Sequence, residues 1–312
     1  MPKIWEYNRW YALLRRYVDA CTRASYCRLD QEGSLPQAPG VIIAPNHCNT
    51  LMDALVVLQS RPQATVFGAR ADIFKKANKA LRFLRILPMA RQRDGLAIQR
   101  ESYATFDEIE DTLANGVPFC MFPEGRHTPG REVQPLRKGI VRIALRSAAS
   151  RHTVIVPAGL NYSHFFRYRG TAMLRYGEAL DVNAFLQAHA DLDEAALTAA
   201  LLETLRQRIQ ALVPADGPAW RPRWWALPLW PVTALLALPL WLPAELICRK
   251  IQDKAFCNSA RYMVKLLLTP VAFLLWALLL FLLLPGWLAL PLLVLYLFSF
   301  SLFYDALLTM KR

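Results

Sequence analysis

The sequence of 312 residues lacks several patterns that would assign it to a common class of protein. Its six cysteines are scattered without a Cys-x-x-Cys pair, which argues against a zinc site, a redox motif or a disulfide framework. Gly-x-Ser-x-Gly, the nucleophile elbow of serine hydrolases, is absent. Zinc-finger spacing and the aromatic run of RNA-binding domains are absent too, so no nucleic-acid partner is predicted. We expect free thiols in a reducing compartment.

Apolar and basic residues are abundant instead. Hydrophobic residues make up 54% of the sequence, and the net charge is +13. The apolar residues are concentrated between 224 and 308, where Leu, Trp, Phe, Ala and Pro dominate. A basic surface beside apolar segments favours anionic lipid or a phosphorylated substrate as the partner.

Residues 1–30 predict an amphipathic helix, over 3–28, rather than a signal peptide. Arginines interrupt any continuous apolar stretch, at Arg9, Arg15, Arg16 and Arg23. Trp and Tyr side chains recur between them at roughly helical spacing. This composition suits the interface of a bilayer, and a helix packed on the globular core is the alternative.

Strands and helices alternate in the next part of the chain, 31–215. The predicted strands are 41–45, 64–69, 118–122, 153–160 and 172–176. The predicted helices are 51–59, 73–84, 100–114, 136–149 and 191–212. This rhythm predicts an α/β fold with a mostly parallel sheet flanked by helices, whose functional residues lie at the carboxyl ends of the strands.

The last part, 216–312, is predicted to be a helical membrane region. Segments 266–284 and 287–304 are each long enough to cross a bilayer and meet at Pro285-Gly286, which predicts a transmembrane hairpin. Segment 224–247 is interrupted by prolines, at Pro228, Pro231, Pro239 and Pro243. We expect it to be re-entrant or interfacial, with a third transmembrane span as the alternative. Basic residues before 224, between 249 and 265, and at the C-terminus place these flanks on the cytoplasmic side.

His47 and Asp53 form the first candidate site. A regular helix would place them about 240° apart, so His47 must lie in the turn after the strand that ends at Pro45. Thr50 is expected to cap the next helix, with Asp53 folded back over the turn. An aspartate on one imidazole nitrogen leaves the other free to take a proton from an alcohol. The alternative is a histidine that only caps the turn.

A second candidate site follows the predicted strand 118–122. Gly125 allows close approach of a ligand to the backbone, and Arg126 can fork onto a phosphate. Glu124 can bind a substrate hydroxyl or hold Arg126. A surface turn with a local ion pair is the alternative.

Further basic residues are predicted at the same edge of the sheet. Arg91 and Arg93 follow a third strand-to-loop transition, and Lys138 begins a helix whose N-terminus favours anions. A neutral substrate would not need this many basic side chains at one edge of the sheet, so an anionic substrate is favoured. The remaining histidines show no metal-ligand spacing and are predicted to lie in turns or on the surface: His127, His152, His164 and His189.

Four blocks in order, over roughly residues 40–215, resemble the glycerolipid acyltransferase superfamily: Asn46–Asp53, Ile86–Arg91, Phe122–Gly125 and Val154–Pro157. The resemblance implies that His47 is the general base and Asp53 its partner. It implies a glycerophosphate site at Arg91, Glu124 and Arg126, and an acyl pocket shaped by Pro157. Five residues separate the histidine from the aspartate, where most members have four. This spacing resembles a branch that includes fungal glycerol-3-phosphate acyltransferases. Arg126 replaces the usual threonine, which leaves the acceptor open.

The resemblance implies an O-acyltransferase of phospholipid biosynthesis. Its donor would be acyl-CoA or acyl carrier protein, and its acceptor lysophosphatidic acid or, alternatively, glycerol 3-phosphate. No cofactor, metal or acyl-enzyme is expected. We expect attachment to the bacterial inner membrane, with the catalytic domain in the cytoplasm. An acyl thioesterase and a non-catalytic lipid-binding membrane protein are the rival hypotheses.

Overall fold

The computed structural model describes residues 3–61, 63–89 and 96–311, without the side chains at 75, 76 and 96–103. The first helix, α1, spans Arg9–Arg23 and is shorter than predicted. It begins at Asn8, whose side chain accepts hydrogen bonds from the backbone N–H groups of Trp10 and Tyr11. One face of α1 packs on the core through Tyr11, while Trp10 on the other face is 61% exposed. This helix is therefore compatible both with packing on the globular core and with a position at the interface of a bilayer.

The described residues form one eight-stranded sheet. Its strands are β1 (Arg28–Glu32), β2 (Gly40–Pro45), β3 (Val66–Arg70), β4 (Ile86–Met89), β5 (Phe119–Cys120), β6 (Thr153–Tyr162), β7 (Thr171–Tyr176) and β8 (Leu180–Asp181). The spatial order is β1-β7-β6-β2-β5-β3-β4, and β8 pairs with β6. All pairs are parallel except those of β6 with β7 and with β8. The predicted α/β fold with a mostly parallel sheet is confirmed.

Helices cover both faces of the sheet. They are α2 (Leu51–Gln59), α3 (Phe74–Phe83), α4 (Leu96–Ala114), α5 (Gly139–Ala148), α6 (Val182–Ala188) and α7 (Glu194–Ala211). Side chains of β2 alternate between two cores, with Ile43 on the side of α2 and Ile42 on the side of α4, α5 and α7. Because both faces are covered, β2 reads as an uninterrupted apolar run.

Three long helices follow: α8 (Trp230–Lys250), α9 (Phe256–Leu283) and α10 (Gly286–Met310). Each is long and apolar enough to cross a membrane, by length and composition. An interruption at Pro239 and Pro243 is not found, because both lie inside the continuous helix α8, whereas the expected re-entrant or interfacial position of 224–247 stays a prediction. An interior proline costs about 3 kcal/mol. Burial of α8 side chains against α9 and α10 offsets this cost, since Leu236 and Leu240 are almost completely buried.

Two residues far apart on α8, Trp230 and Glu245, contact neighbouring residues of α10. The Trp230 ring stacks on Phe303, with centroids 6.4 Å apart, and the Tyr304 hydroxyl donates to Glu245 Oε1 at 2.5 Å. Trp230 and Glu245 are separated by about 22 Å along a helix, whereas Phe303 and Tyr304 are adjacent. Helix α8 therefore packs closely on the part of α10 that contains Phe303 and Tyr304.

The apolar helices are fastened to the α/β domain by a buried ion pair. Asp305 of α10, 1% exposed, receives both Nε and Nη2 of Arg169, at 2.9 and 2.7 Å. Arg223 adds a third contact at 3.2 Å. Tyr262 of α9 is itself part of the core on the α2 side of the sheet. The two parts of the chain therefore share buried contacts of both polar and apolar kinds.

Candidate active site

His47 and Asp53 meet at the carboxyl end of β2. His47 lies in the turn before α2, Asp53 lies on the first turn of that helix, and His47 Nδ1 is 2.8 Å from Asp53 Oδ2. The carboxylate is fully buried, while the imidazole is 19% exposed. No described residue hydrogen-bonds Nε2 of His47. The predicted pairing is confirmed, and it leaves one imidazole nitrogen open to a ligand.

Asp53 accepts three further strong hydrogen bonds. The donors are the backbone N–H groups of Cys48 at 2.8 Å and Asn49 at 2.6 Å, and the hydroxyl of Tyr162 at 2.7 Å. These donors compensate the loss of hydration that burial imposes on the carboxylate. Sequence reasoning missed Tyr162. Its only signal was its position at the end of β6, next to the strand that carries His47.

Thr50 does not cap α2, and this expectation was wrong. Its hydroxyl lies 2.6 Å from the hydroxyl of Ser259 in α9, and no side-chain hydrogen bond to the helix N-terminus forms. The φ angle of Thr50 is 50°, which is unusual for a β-branched residue and marks strain between His47 and Asp53. A hydroxyl bonded to a distant helix cannot be recognised from local spacing.

Glu124 supports the backbone of the His47 turn. Its Oε1 accepts the N–H of His47 at 2.7 Å, its Oε2 accepts the N–H of Gln134 at 3.1 Å, and the residue is 2% exposed. Burial raises the pKa of Glu124 to about 7, although both backbone hydrogen bonds act to lower it. The suggested ion pair with Arg126 is not formed in the described structure. Substrate contact by Glu124 stays a prediction.

Aromatic rings surround His47. The Phe122 ring stacks on it with centroids 4.3 Å apart, and the His127 ring meets it edge-to-face at 5.9 Å. His127 also contacts Phe256, at 4.8 Å, and its Nε2 lies 2.8 Å from Asp253 Oδ2. The sequence predicts only a turn or surface position for His127, because its partner lies 126 residues away.

An exposed basic surface adjoins this turn, formed by Arg126, Arg137 and Lys138. None of the three has an ion-pair partner within the described ranges. The Arg137 side chain lies over Gly125, whose φ is 70°; a Cβ at this glycine would be 3.2 Å from Arg137 Cγ. Lys138 immediately precedes α5. Arg91 and Arg93 lie outside the described residues.

Pro157 lies deeper in the sheet. It pairs with Ala44 of β2, and its carbonyl accepts the N–H of Gly177 at 2.9 Å. No described contact joins it to His47, so its role in an acyl pocket stays a prediction. All six cysteines are free thiols. Within the described part of the chain, no group of three or more His, Cys, Asp or Glu residues is arranged to hold a metal ion.

Comparison with known proteins finds a family similarity that includes this site. Residues 28–161 match the family model Acyltransferase, and this range contains His47, Asp53 and Glu124. The matched range is similar to this family and makes up somewhat less than half of the chain. Over 80 residues it is 30% identical to an uncharacterized acyltransferase of Schizosaccharomyces pombe. Over 82 residues it is 33% identical to glycerol-3-phosphate O-acyltransferase 2 of Saccharomyces cerevisiae.

These alignments are short relative to the fungal proteins. Each covers 25% of this chain, but only 12% of the S. pombe protein and 11% of the S. cerevisiae protein. Among solved structures, the 1-acyl-sn-glycerophosphate (LPA) acyltransferase PlsC of Thermotoga maritima is similar with a TM-score of 0.48 and 19% identity. That match covers 68% of this chain and 81% of the T. maritima chain.

Proposed function

We propose that this protein transfers a fatty acyl group from acyl-CoA or acyl carrier protein to a hydroxyl of a glycerol-phosphate-type acceptor, with lysophosphatidic acid as the first candidate. One observation carries the proposal. The His47–Asp53 pair, with Nε2 of His47 open, lies beside a loop whose basic residues have no described ion-pair partner. A general base and an anion-binding surface are the two parts that this reaction requires.

The reaction follows from these groups. His47 Nε2 takes the proton of the acceptor hydroxyl, and the hydroxyl oxygen attacks the thioester carbonyl to form a C–O bond. Collapse of the tetrahedral intermediate breaks the C–S bond, and the departing thiolate receives the proton from the imidazolium. Asp53, held in place by its hydrogen bonds, fixes the tautomer of His47 and stabilises the imidazolium. Protons and electrons balance without an acyl-enzyme.

The acceptor is assigned from charge and from the apolar surroundings of His47. Arginine binds phosphate oxygens through paired N–H groups, which suits Arg126 and Arg137 to a phosphomonoester. Phe122 stacks on His47, and Phe256, 43% exposed, lies on the other side of His127. An acceptor that already carries one acyl chain complements this aromatic surface better than glycerol 3-phosphate does.

The membrane arrangement is part of the same proposal. We place the α/β domain on the cytoplasmic face of a bacterial inner membrane, with α9 and α10 as the transmembrane hairpin. We place helix α8 in the interface, with both of its ends on the same side of the membrane. Basic residues at both ends of α8, Arg223 before it and Arg249 in its last turn, favour the cytoplasmic side for both.

A mass-spectrometric screen tests the function. Purified protein in lipid nanodiscs is incubated with acyl-CoA or acyl carrier protein and with lysophosphatidic acid, glycerol 3-phosphate, monoacylglycerol or no acceptor. We expect acylated lysophosphatidic acid from the wild type and none from His47→Ala. Free fatty acid formed at the same rate without acceptor would show a thioesterase. The absence of any product would favour a lipid-binding protein.

A further inference from the structure

The connection between α8 and α9 and the beginning of α9 each reach the active site at one point. Asp253 Oδ2 lies 2.8 Å from Nε2 of His127, and the Ser259 hydroxyl lies 2.6 Å from that of Thr50. Both partners belong to the segments around His47. Thr50 lies between the histidine and its aspartate, and the residue after His127 donates its N–H to the His47 carbonyl at 2.9 Å. One wall of the site is therefore built by the apolar helices.

The orientation of His127 is fixed by this connection. Its ring lies between His47, with centroids 5.9 Å apart, and Phe256, at 4.8 Å. Asp253 is its hydrogen-bond partner among the described residues. The hydrogen bond from His127 holds the pKa of Asp253 below its ordinary value, so the carboxylate is ionised and accepts the Nε2 proton. Without Asp253, the imidazole would be free to rotate away from His47.

We propose that Asp253 is a positioning residue of acyl transfer, which holds the His127 ring against His47 and so makes the orientation of the catalytic base depend on how the apolar helices are seated. This inference rests on the proposed function. Two rings limit the movement of the His47 imidazole: Phe122 stacks on it, and His127 meets it edge-to-face. Loss of the second boundary widens the range of orientations of the base, and displacements of about 1 Å suffice to cost up to about 100-fold in rate.

Steady-state kinetics in nanodiscs tests the coupling. Asp253→Ala and His127→Ala are each expected to lower kcat about 10-fold, with the KM of donor and acceptor changed less than about two-fold. The double variant should equal the single variants, and Asp253→Glu should recover part of kcat. Gln252→Ala, an exposed neighbour, serves as the control. Equal kcat for Asp253→Ala and Gln252→Ala, or losses that multiply in the double variant, would overturn the proposal.

A second measurement needs no substrate and separates this inference from the proposed function. Diethyl pyrocarbonate modifies unprotonated imidazoles, and mass spectrometry reports the rate at each histidine. In Asp253→Ala we expect faster modification of His127 and an altered rate at His47, with His152 and His189 unchanged. If the modification rates of His152 and His189 also rise in Asp253→Ala, that variant is partly unfolded. The same rates are then measured in Asp253→Asn, which preserves the shape of the side chain. An unchanged rate at His47 in the folded variant would contradict the positioning role even if no acyl transfer is found.

Discussion

Glu124 accepts a hydrogen bond from the backbone N–H of His47 at 2.7 Å, across 77 residues of chain. Its second oxygen accepts the N–H of Gln134 at 3.1 Å. The glutamate of the Phe-Pro-Glu-Gly segment thus joins the loop after β5 to the turn after β2. Because the contact is with the backbone of His47, Glu124 fixes the position of the catalytic turn without competing for the imidazole.

Replacement of His47 by alanine should lower kcat by about 10²–10⁴ while the protein stays folded. The imidazole is partly exposed, so its removal leaves only a shallow gap beside Phe122. Turnover is measured with the best acceptor of the screen, and folding by thermal melting. His189→Ala, at the residue that follows α6, provides a matched control. Wild-type turnover in His47→Ala would refute the proposed mechanism.

Glu124→Gln should remove a pH dependence of stability. The pKa of Glu124 in the folded protein is about 7, above its ordinary value of 4.5, so the folded state binds the proton more tightly than the unfolded state. The resulting stability is present below pH 4.5 and is lost as the pH rises to about 7. It amounts to about 3 kcal/mol. The Tm of the wild type should therefore fall relative to that of Glu124→Gln between pH 5 and 8. Parallel Tm curves would contradict this assignment.

Tyr162→Phe should lower both stability and turnover. The hydroxyl donates to Asp53 Oδ1 at 2.7 Å, and its loss leaves a buried carboxylate oxygen without that donor, at a cost of about 1–3 kcal/mol. Tyr26→Phe is the matched control. The Tyr26 ring stacks on Tyr162 at 6.1 Å, and in the described structure its hydroxyl makes no hydrogen bond to Asp53. Chemical denaturation and kcat are measured for both. Equal effects of the two substitutions would show that the hydroxyl of Tyr162 has no special role.

Arg126→Ala and Arg137→Ala should raise the KM of a phosphorylated acceptor more than that of the acyl donor. Each removes an exposed guanidinium that is free to bind phosphate oxygens, at about 1.5–3 kcal/mol per hydrogen-bonded charge. A monoacylglycerol acceptor should show no such dependence. Arg208→Ala, exposed on α7, is the control. If the KM of acyl-CoA rises equally, these arginines contact the phosphates of coenzyme A instead.

Cysteine labelling tests the membrane arrangement. In a cysteine-free background, Gln252→Cys and Gly286→Cys are exposed to an impermeant thiol reagent on intact cells. We expect labelling at 286 alone, because basic flanks around 252 resist translocation. Labelling at both sites after the cells are opened is the control for reactivity. Labelling of 252 from outside would show that α8 crosses the membrane and would contradict an interfacial α8.

Local signals predicted much of the fold. Helix α2 has the predicted bounds, and β2 was recognised because burial on both faces leaves it entirely apolar. Strand β1 was missed, since its residues at the edge of the sheet stay partly exposed and polar. The continuity of α8 was missed because it depends on neighbouring helices rather than on its own prolines.

The local contacts of the candidate site were predicted from the sequence, and the long-range contacts were not. The His47–Asp53 pair joins residues six apart, so the spacing and turn residues indicated it. The contacts of Asp53 with Tyr162 and of His127 with Asp253 join residues more than 100 apart. These contacts form only because the fold brings distant strands and helices together at the same edge of the sheet. A single sequence carries no local pattern for such pairs.

The ion pair of Arg169 with Asp305 bears on whether the catalytic part can exist by itself. A truncation after residue 215 removes the carboxylate and leaves the guanidinium of Arg169, only 6% exposed in the full chain, without its counter-charge. It also removes Tyr262 from the α/β core. We therefore expect residues 1–215 to be less stable without the apolar helices, and a soluble fragment to require replacement of these buried contacts as well as removal of the helices.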